Sequence, residues 1–147
     1  MRPAVNAVID TNVVLDWLLF DDPAVRPLAD AVQQGQLVWL CTQAMLDELA
    51  HVLQRRPFDA RWTVAPDAIL AQARRHAQLV EATPPPGPAL VCRDADDQKF
   101  IDLALAQRAT WLISRDRALL ALARRALPRG VQVLPPARWQ LGDGAGG

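Results

Sequence analysis

Apolar residues recur along this chain in two alternating rhythms. Short, continuous apolar and β-branched runs at Val5–Ile9, Leu37–Cys41, Trp111–Ile113 and residues 131–134 have the length and composition of buried strands. Between them, helical spacing marks residues 13–20, 24–34, 43–54, 68–79, 98–108 and 118–126. Gly35 closes one helical pattern, Gly130 follows the last, and Pro66 stands where a helix should begin. Strands that alternate with helices predict a parallel sheet covered on both faces. The connection at 53–63 is polar and rich in Arg, and 84–88 is a stiff, proline-rich loop leading to an acidic segment at Asp94. There is no internal repeat and no sign of a second domain. The glycine-rich stretch 142–147 reads as a disordered tail.

Composition narrows this picture. With 51% apolar residues in 147, the chain can bury one substantial core. No apolar run is long and charge-free enough to span a bilayer. Asp10 interrupts the first apolar stretch too early for a signal peptide, so a cytoplasmic protein is expected. Cys41 and Cys92 lack metal-ligand spacing and are expected to be free structural thiols. The net charge of zero argues against a strongly basic, non-specific nucleic-acid binder. It leaves room for nucleic acid all the same, because acids gathered at one site would leave the rest of the surface net positive. Lys99 is the only lysine; every other basic residue is Arg.

Four acids stand out by position. Asp10 directly follows the first strand, and open α/β sheets bind ligands outside the carboxyl ends of their strands. Glu48 flanks the stripe of Met45, Leu46, Leu49, Val52 and Leu53, while its neighbour Asp47 points toward water. Asp97 ends the cluster Arg93-Asp94-Ala95-Asp96-Asp97 and lies in line with the apolar stripe of Phe100, Ile101, Ala104 and Leu105. Asp102 and Lys99 fall on the far side of that wheel. An inward acid is costly without a partner, which a cation would supply. Asp116 follows the third predicted strand, beside the hydroxyl of Ser114.

Each acid also has a plainer explanation as a helix cap or surface group, with Asn12 the better cap after the first strand. Taken together, four acids at one edge of a sheet would repel one another unless a divalent cation lay among them. Hard oxygen donors select Mg²⁺ or Mn²⁺. No Cys–His or Ser–His pair competes, since His51 and His76 both fall in helices without partners at ligand spacing.

The segments Val8-Ile9-Asp10-Thr11-Asn12, residues 42–53 around Glu48, Asp94-Ala95-Asp96-Asp97 with Phe100-Ile101-Asp102-Leu103-Ala104, and Trp111-Leu112-Ile113-Ser114-Arg115-Asp116 together resemble the PIN domain. This is a metal-dependent nuclease fold common in bacterial toxin–antitoxin systems. The resemblance runs from about residue 4 to 134 and is strongest to toxin components with an Asp-x-Asp-Asp segment. It implies a three-layer α/β/α sandwich around a mostly parallel sheet, with 1–141 as one domain and 142–147 as a flexible tail. It further implies that Asp10, Glu48, Asp97 and Asp116 are catalytic and hold one or two Mg²⁺ or Mn²⁺ ions. Asp94 and Asp96 would be auxiliary acids, and Thr11, Asn12 and Ser114 would support the ligands by hydrogen bonds. The implied reaction is endonucleolytic hydrolysis of single-stranded RNA. The implied partners are an antitoxin whose C-terminal segment blocks the pocket and, as in many members, a second copy of the chain. Ser114 stands where Thr is more usual and Thr42 where Ser is common, and both changes keep the hydroxyl.

Arg93, Arg115 and Arg117 lie beside these acids, and at least one is expected to grip an RNA phosphate. Two other acid-bearing sheet folds fit less well. A haloacid-dehalogenase phosphatase needs a second Asp where Asn12 stands. A receiver domain needs a Lys after a late strand, and Lys99 lies in a helix. A PIN-like module that binds RNA or protein without cleavage, or a housekeeping RNA-processing nuclease, stays open as an alternative.

Overall fold

The computed structural model describes residues 5–55 and 65–142. Five strands, β1 (Val5–Ile9), β2 (Leu37–Cys41), β3 (Ala77–Leu79), β4 (Trp111–Ile113) and β5 (Gln132–Leu134), form one sheet in the order β3-β2-β1-β4-β5. Every pairing is parallel. Helices α1 (Thr11–Leu18), α2 (Arg26–Gln33), α3 (Gln43–Arg55), α4 (Pro66–His76), α5 (Gln98–Ala106), α6 (Arg117–Leu120) and α7 (Ala123–Ala126) connect the strands and complete a three-layer α/β/α sandwich. No helix among the described residues is long and apolar enough to cross a membrane.

The continuous apolar strands behave as a parallel sheet demands, because both of their faces are covered. Ala7, Val8, Trp111, Leu112 and Ile113 are fully enclosed, and Phe100 and Ile101 of α5 are buried where that helix packs on β1 and β4. Trp139 lies edge-on to Trp111 at 5.4 Å between ring centroids, so packing continues nearly to residue 141. Both cysteines are free and buried, and burial pushes the Cys41 thiol up to about 12, which makes it inert.

Four of the five strands were readable as apolar runs. The fifth was not: helical spacing runs through 68–79, yet α4 stops at His76 and Ala77–Leu79 pairs with β2, Trp39 opposite Ala77. This edge strand is largely exposed and held by backbone bonds, so no apolar run announces it. The single helix expected over 118–126 is two short ones, α6 and α7. Pro66 does open α4, and Gly130 closes its turn at φ +90°, a conformation that favours glycine. Most of the Arg-rich connection at 53–63, and the tail apart from Gly142, lie outside the described residues.

Chain order reverses at β1. The chain leaves β1 for β2 on one side and returns to β4 on the other, which makes a topological switch point at the carboxyl ends of β1 and β4. Ile9 pairs with Ile113, so Asp10 and Ser114 emerge side by side at that crevice.

Candidate active site

Asp10 extends the ladder by one bond, its N–H donating to the Ile113 carbonyl at 3.1 Å. Its carboxylate does two jobs. Oδ1 accepts the Val13 N–H at 3.0 Å and caps α1, and Oδ2 accepts from the Ser114 hydroxyl. Asp10 is therefore the cap itself, and Asn12, expected to cap, is an exposed residue in the first turn of α1. Burial raises the Asp10 carboxyl above its ordinary value, and the hydrogen bonds from Ser114 and the backbone only partly offset this.

Asp116 also caps a helix, with Oδ1 accepting the Ala118 N–H at 2.7 Å. Its own N–H donates to Ser114 Oγ at 2.9 Å. Ser114, fully buried, thus ties the two strand-end acids to each other. Capping uses one oxygen of each carboxylate and so coexists with a place at the site.

The segment before α5 delivers two further acids. Asp94 Oδ1 accepts the Asp96 N–H at 3.0 Å and caps a 3₁₀ turn, Ala95–Asp97, that runs into α5. Gln98 holds this segment in place. Its Oε1 accepts the Cys92 N–H at 2.7 Å, and its Nε2 donates to the Leu90 carbonyl at 2.8 Å and to Asp102 Oδ1 at 2.9 Å. Sequence reading passed over Gln98, because a glutamine in a first helical turn carries no signal of its own.

Carboxylate oxygens of Asp94, Asp97 and Asp116 lie within 4.8 Å of one another. Asp97 Oδ2 is buried and has no hydrogen-bond partner. Burial first, then the neighbouring Asp116, Asp94 and Asp10, push the Asp97 carboxyl up to about 7. A buried carboxylate oxygen without a partner, on a residue gathered with other acids, is what a cation would relieve. The donor set is all hard oxygen, so these residues fit a divalent ion of the Mg²⁺ or Mn²⁺ kind.

The four acids singled out in the sequence are thus brought together unequally. Asp97 and Asp116 join in one cluster with Asp94, which ranked only as auxiliary. Asp10 stands next to them. Glu48 is not part of the cluster: its Oε2 accepts from the Thr11 hydroxyl, and its Oε1 pairs with Lys99 Nζ at 2.7 Å. Lys99 is the main departure from the helical wheel, which turned it outward. Its long stem lets the ammonium reach back across the helix start to Glu48 and to the Asp96 carbonyl. The side chain of Asp96 is exposed and outside the cluster.

The family model described as "PIN domain" matches residues 6–118. The chain belongs to the PIN domain family. This is a family of nucleases, and in this PIN domain Asp10 and Asp116 of the acidic site follow the carboxyl ends of β1 and β4. Among solved structures, it is similar to a chain in the crystal structure of VapBC2 from Rickettsia felis bound to a DNA fragment from their promoter. The TM-score is 0.59 at 11% identity, over 88% of this chain and 97% of that one, which is a likeness of fold. No curated protein matches the sequence.

The three arginines beside the acids differ. Arg115 is engaged with Asp16 at 2.6 Å and Asp22 at 3.0 Å, where it links the β4–α6 connection to the end of α1. The Ala24 N–H and then Arg115 hold the Asp22 carboxyl below its ordinary value. Arg93 and Arg117 are exposed, next in sequence to Asp94 and Asp116.

Proposed function

We propose that this PIN domain is a divalent-metal-dependent endoribonuclease that hydrolyses single-stranded RNA, and that it is the toxin of a toxin–antitoxin pair. The observation that carries the reading is the gathering of Asp94, Asp97 and Asp116 carboxylate oxygens within 4.8 Å of one another at the sheet's switch point, with Asp97 Oδ2 buried and without a hydrogen-bond partner. Asp94, Asp97 and Asp116 would hold Mg²⁺ or Mn²⁺, with Asp10 beside them and Glu48 at the rim. Such an ion, when bound, stabilises charge on an attacked phosphoryl oxygen and makes water a better nucleophile at neutral pH.

The chain's own groups prepare that chemistry. Ser114 fixes the orientation of Asp10 and Asp116. The α1 cap holds Asp10 at the end of β1, and Thr11 orients Glu48. Arg93 and Arg117 adjoin these acids in sequence, are exposed, and would offer planar donors to RNA phosphates, while Arg115 would have to leave two carboxylates to do so. The toxin assignment is supported by the similarity in fold to a chain of the VapBC2 complex. On that reading an antitoxin segment covers the acidic pocket, a second copy of the chain pairs with the first, and the protein works in the cytoplasm as one domain over residues 1–141.

The test is cleavage of single-stranded RNA by the purified protein with Mg²⁺, Mn²⁺ or EDTA. Cleavage is expected with either metal and is lost with EDTA or Asp10→Asn. No cleavage with either metal, or cleavage that survives both EDTA and the substitution, overturns the reading.

A further inference from the structure

Lys99 is the only lysine of the chain, and its ammonium is placed among oxygen donors at the edge of the acidic site. Glu48 Oε1 lies 2.7 Å away, and the backbone carbonyl of Asp96 accepts a second hydrogen bond. The Phe100 ring centroid is 4.8 Å from the nitrogen, a cation–π distance. Lys99 and Glu48 side chains are only 30% and 28% exposed, so solvent screens the pair less than it would a surface pair. The other Glu48 oxygen is taken by Thr11. Both oxygens of the one glutamate at the site are therefore occupied before any ion arrives. A carboxylate with a backbone carbonyl is also a donor set that a hard cation would accept.

We infer that the Lys99 ammonium is a built-in second cation: it occupies the position a second divalent ion would take on Glu48, and so restricts the site to one ion on Asp94, Asp97 and Asp116. This rests on the metal-site reading above and deepens it. Lys99 acts through Glu48 and is a positioning residue. Its fixed charge would sit beside the acids without depending on metal supply, and its loss would leave Glu48 free to ligate.

Equilibrium binding of Mn²⁺ to the full chain, with free Mn²⁺ read by electron paramagnetic resonance, tests this without an activity assay. The wild type and Lys99→Arg are expected to bind one ion per chain. Lys99→Met is expected to bind two, with the second lost again in Lys99→Met/Glu48→Gln. With Lys99 intact, Glu48→Gln should change Mn²⁺ affinity by less than about threefold, against a loss of more than about a hundredfold for Asp97→Asn. These limits correspond to ~0.7 and ~2.7 kcal/mol. A Lys that is merely a surface ion-pair partner would not change the ion count. Two ions on the wild type, one ion on Lys99→Met, or an equal loss from Glu48→Gln and Asp97→Asn would each overturn the inference while leaving the metal site standing. Absence of any Asp97-dependent Mn²⁺ binding would overturn the metal-site reading and the inference with it. Lys99 is partly exposed, and thermal melting confirms that each variant is folded before it is titrated.

Discussion

Replacing Asp97 by Asn should stabilise the metal-free protein at alkaline pH and destabilise it, relative to the wild type, when metal is present. Burial and three neighbouring acids push the Asp97 carboxyl up to about 7 from the ordinary 3.8. An acid whose folded value is raised contributes stability that is fully present below the unfolded value and is lost as pH rises through the folded one. Here that window runs from roughly pH 4 to pH 7 or just above. A gap of about 3 pH units, at about 1.36 kcal/mol each, sets a ceiling of ~4 kcal/mol. Asp97 is only part-buried, and solvent screening reduces this to about 1–2 kcal/mol. Removing the charge should therefore raise the melting temperature by roughly 3–6 °C at pH 8 in EDTA, for a domain of this size.

The gap should narrow as pH falls, to about a third of its full size at pH 5, and close only below about pH 4, where the carboxyl is protonated in the folded and the unfolded chain alike. With Mn²⁺ at about a hundred times its dissociation constant, binding adds ~2.7 kcal/mol to the wild type alone, and the order reverses. Differential scanning calorimetry at pH 5 and pH 8, with EDTA and with Mn²⁺, reads all four values. A variant that melts below the wild type at pH 8 in EDTA, or a gap that is the same at both pH values, would refute the reasoning.

Ser114→Ala removes the hydroxyl that serves Asp10 and leaves a buried carboxylate oxygen without its donor, at about 1–3 kcal/mol. A urea titration showing a change well below that would mean that water replaces the hydroxyl. Gln98→Ala releases the Cys92 N–H and the Leu90 carbonyl from the start of α5. Hydrogen exchange at the Cys92 amide should accelerate at least tenfold, with weaker Mn²⁺ binding at Asp94 and Asp97; unchanged exchange would show that the glutamine holds nothing. In an Asp10→Asn background, Arg93→Ala with Arg117→Ala should weaken binding of single-stranded RNA and reduce the salt slope by about 0.7 per lost phosphate contact. If replacing Arg93, Arg115 and Arg117 together leaves affinity and salt dependence unchanged, none of them grips RNA.

The sequence by itself determined four of the five described strands and the position of most of the candidate acids. Four strands were legible because a parallel sheet covered on both faces needs continuous apolar runs, and Val5–Ile9 and Trp111–Ile113 supply them. Asp10 and Asp116 were legible because they directly follow those strands. Asp97 was legible because helical phase set it on the apolar side of α5, where its Oδ2 is indeed buried. What needed the tertiary structure depends on contacts between distant segments. Strand β3 exists through backbone pairing to β2, which leaves no pattern in an exposed three-residue stretch. Asp94 gains its place through the turn that Gln98 fastens, and it stands four residues before α5 begins, too far for helical phase to place it as it placed Asp97 at the helix cap. The pairing of Lys99 with Glu48 joins residues 51 apart in the chain. A helical wheel gives the direction of a Cα–Cβ bond, but the end of a four-carbon side chain goes where the nearest carboxylate is, and only the folded chain puts Glu48 there.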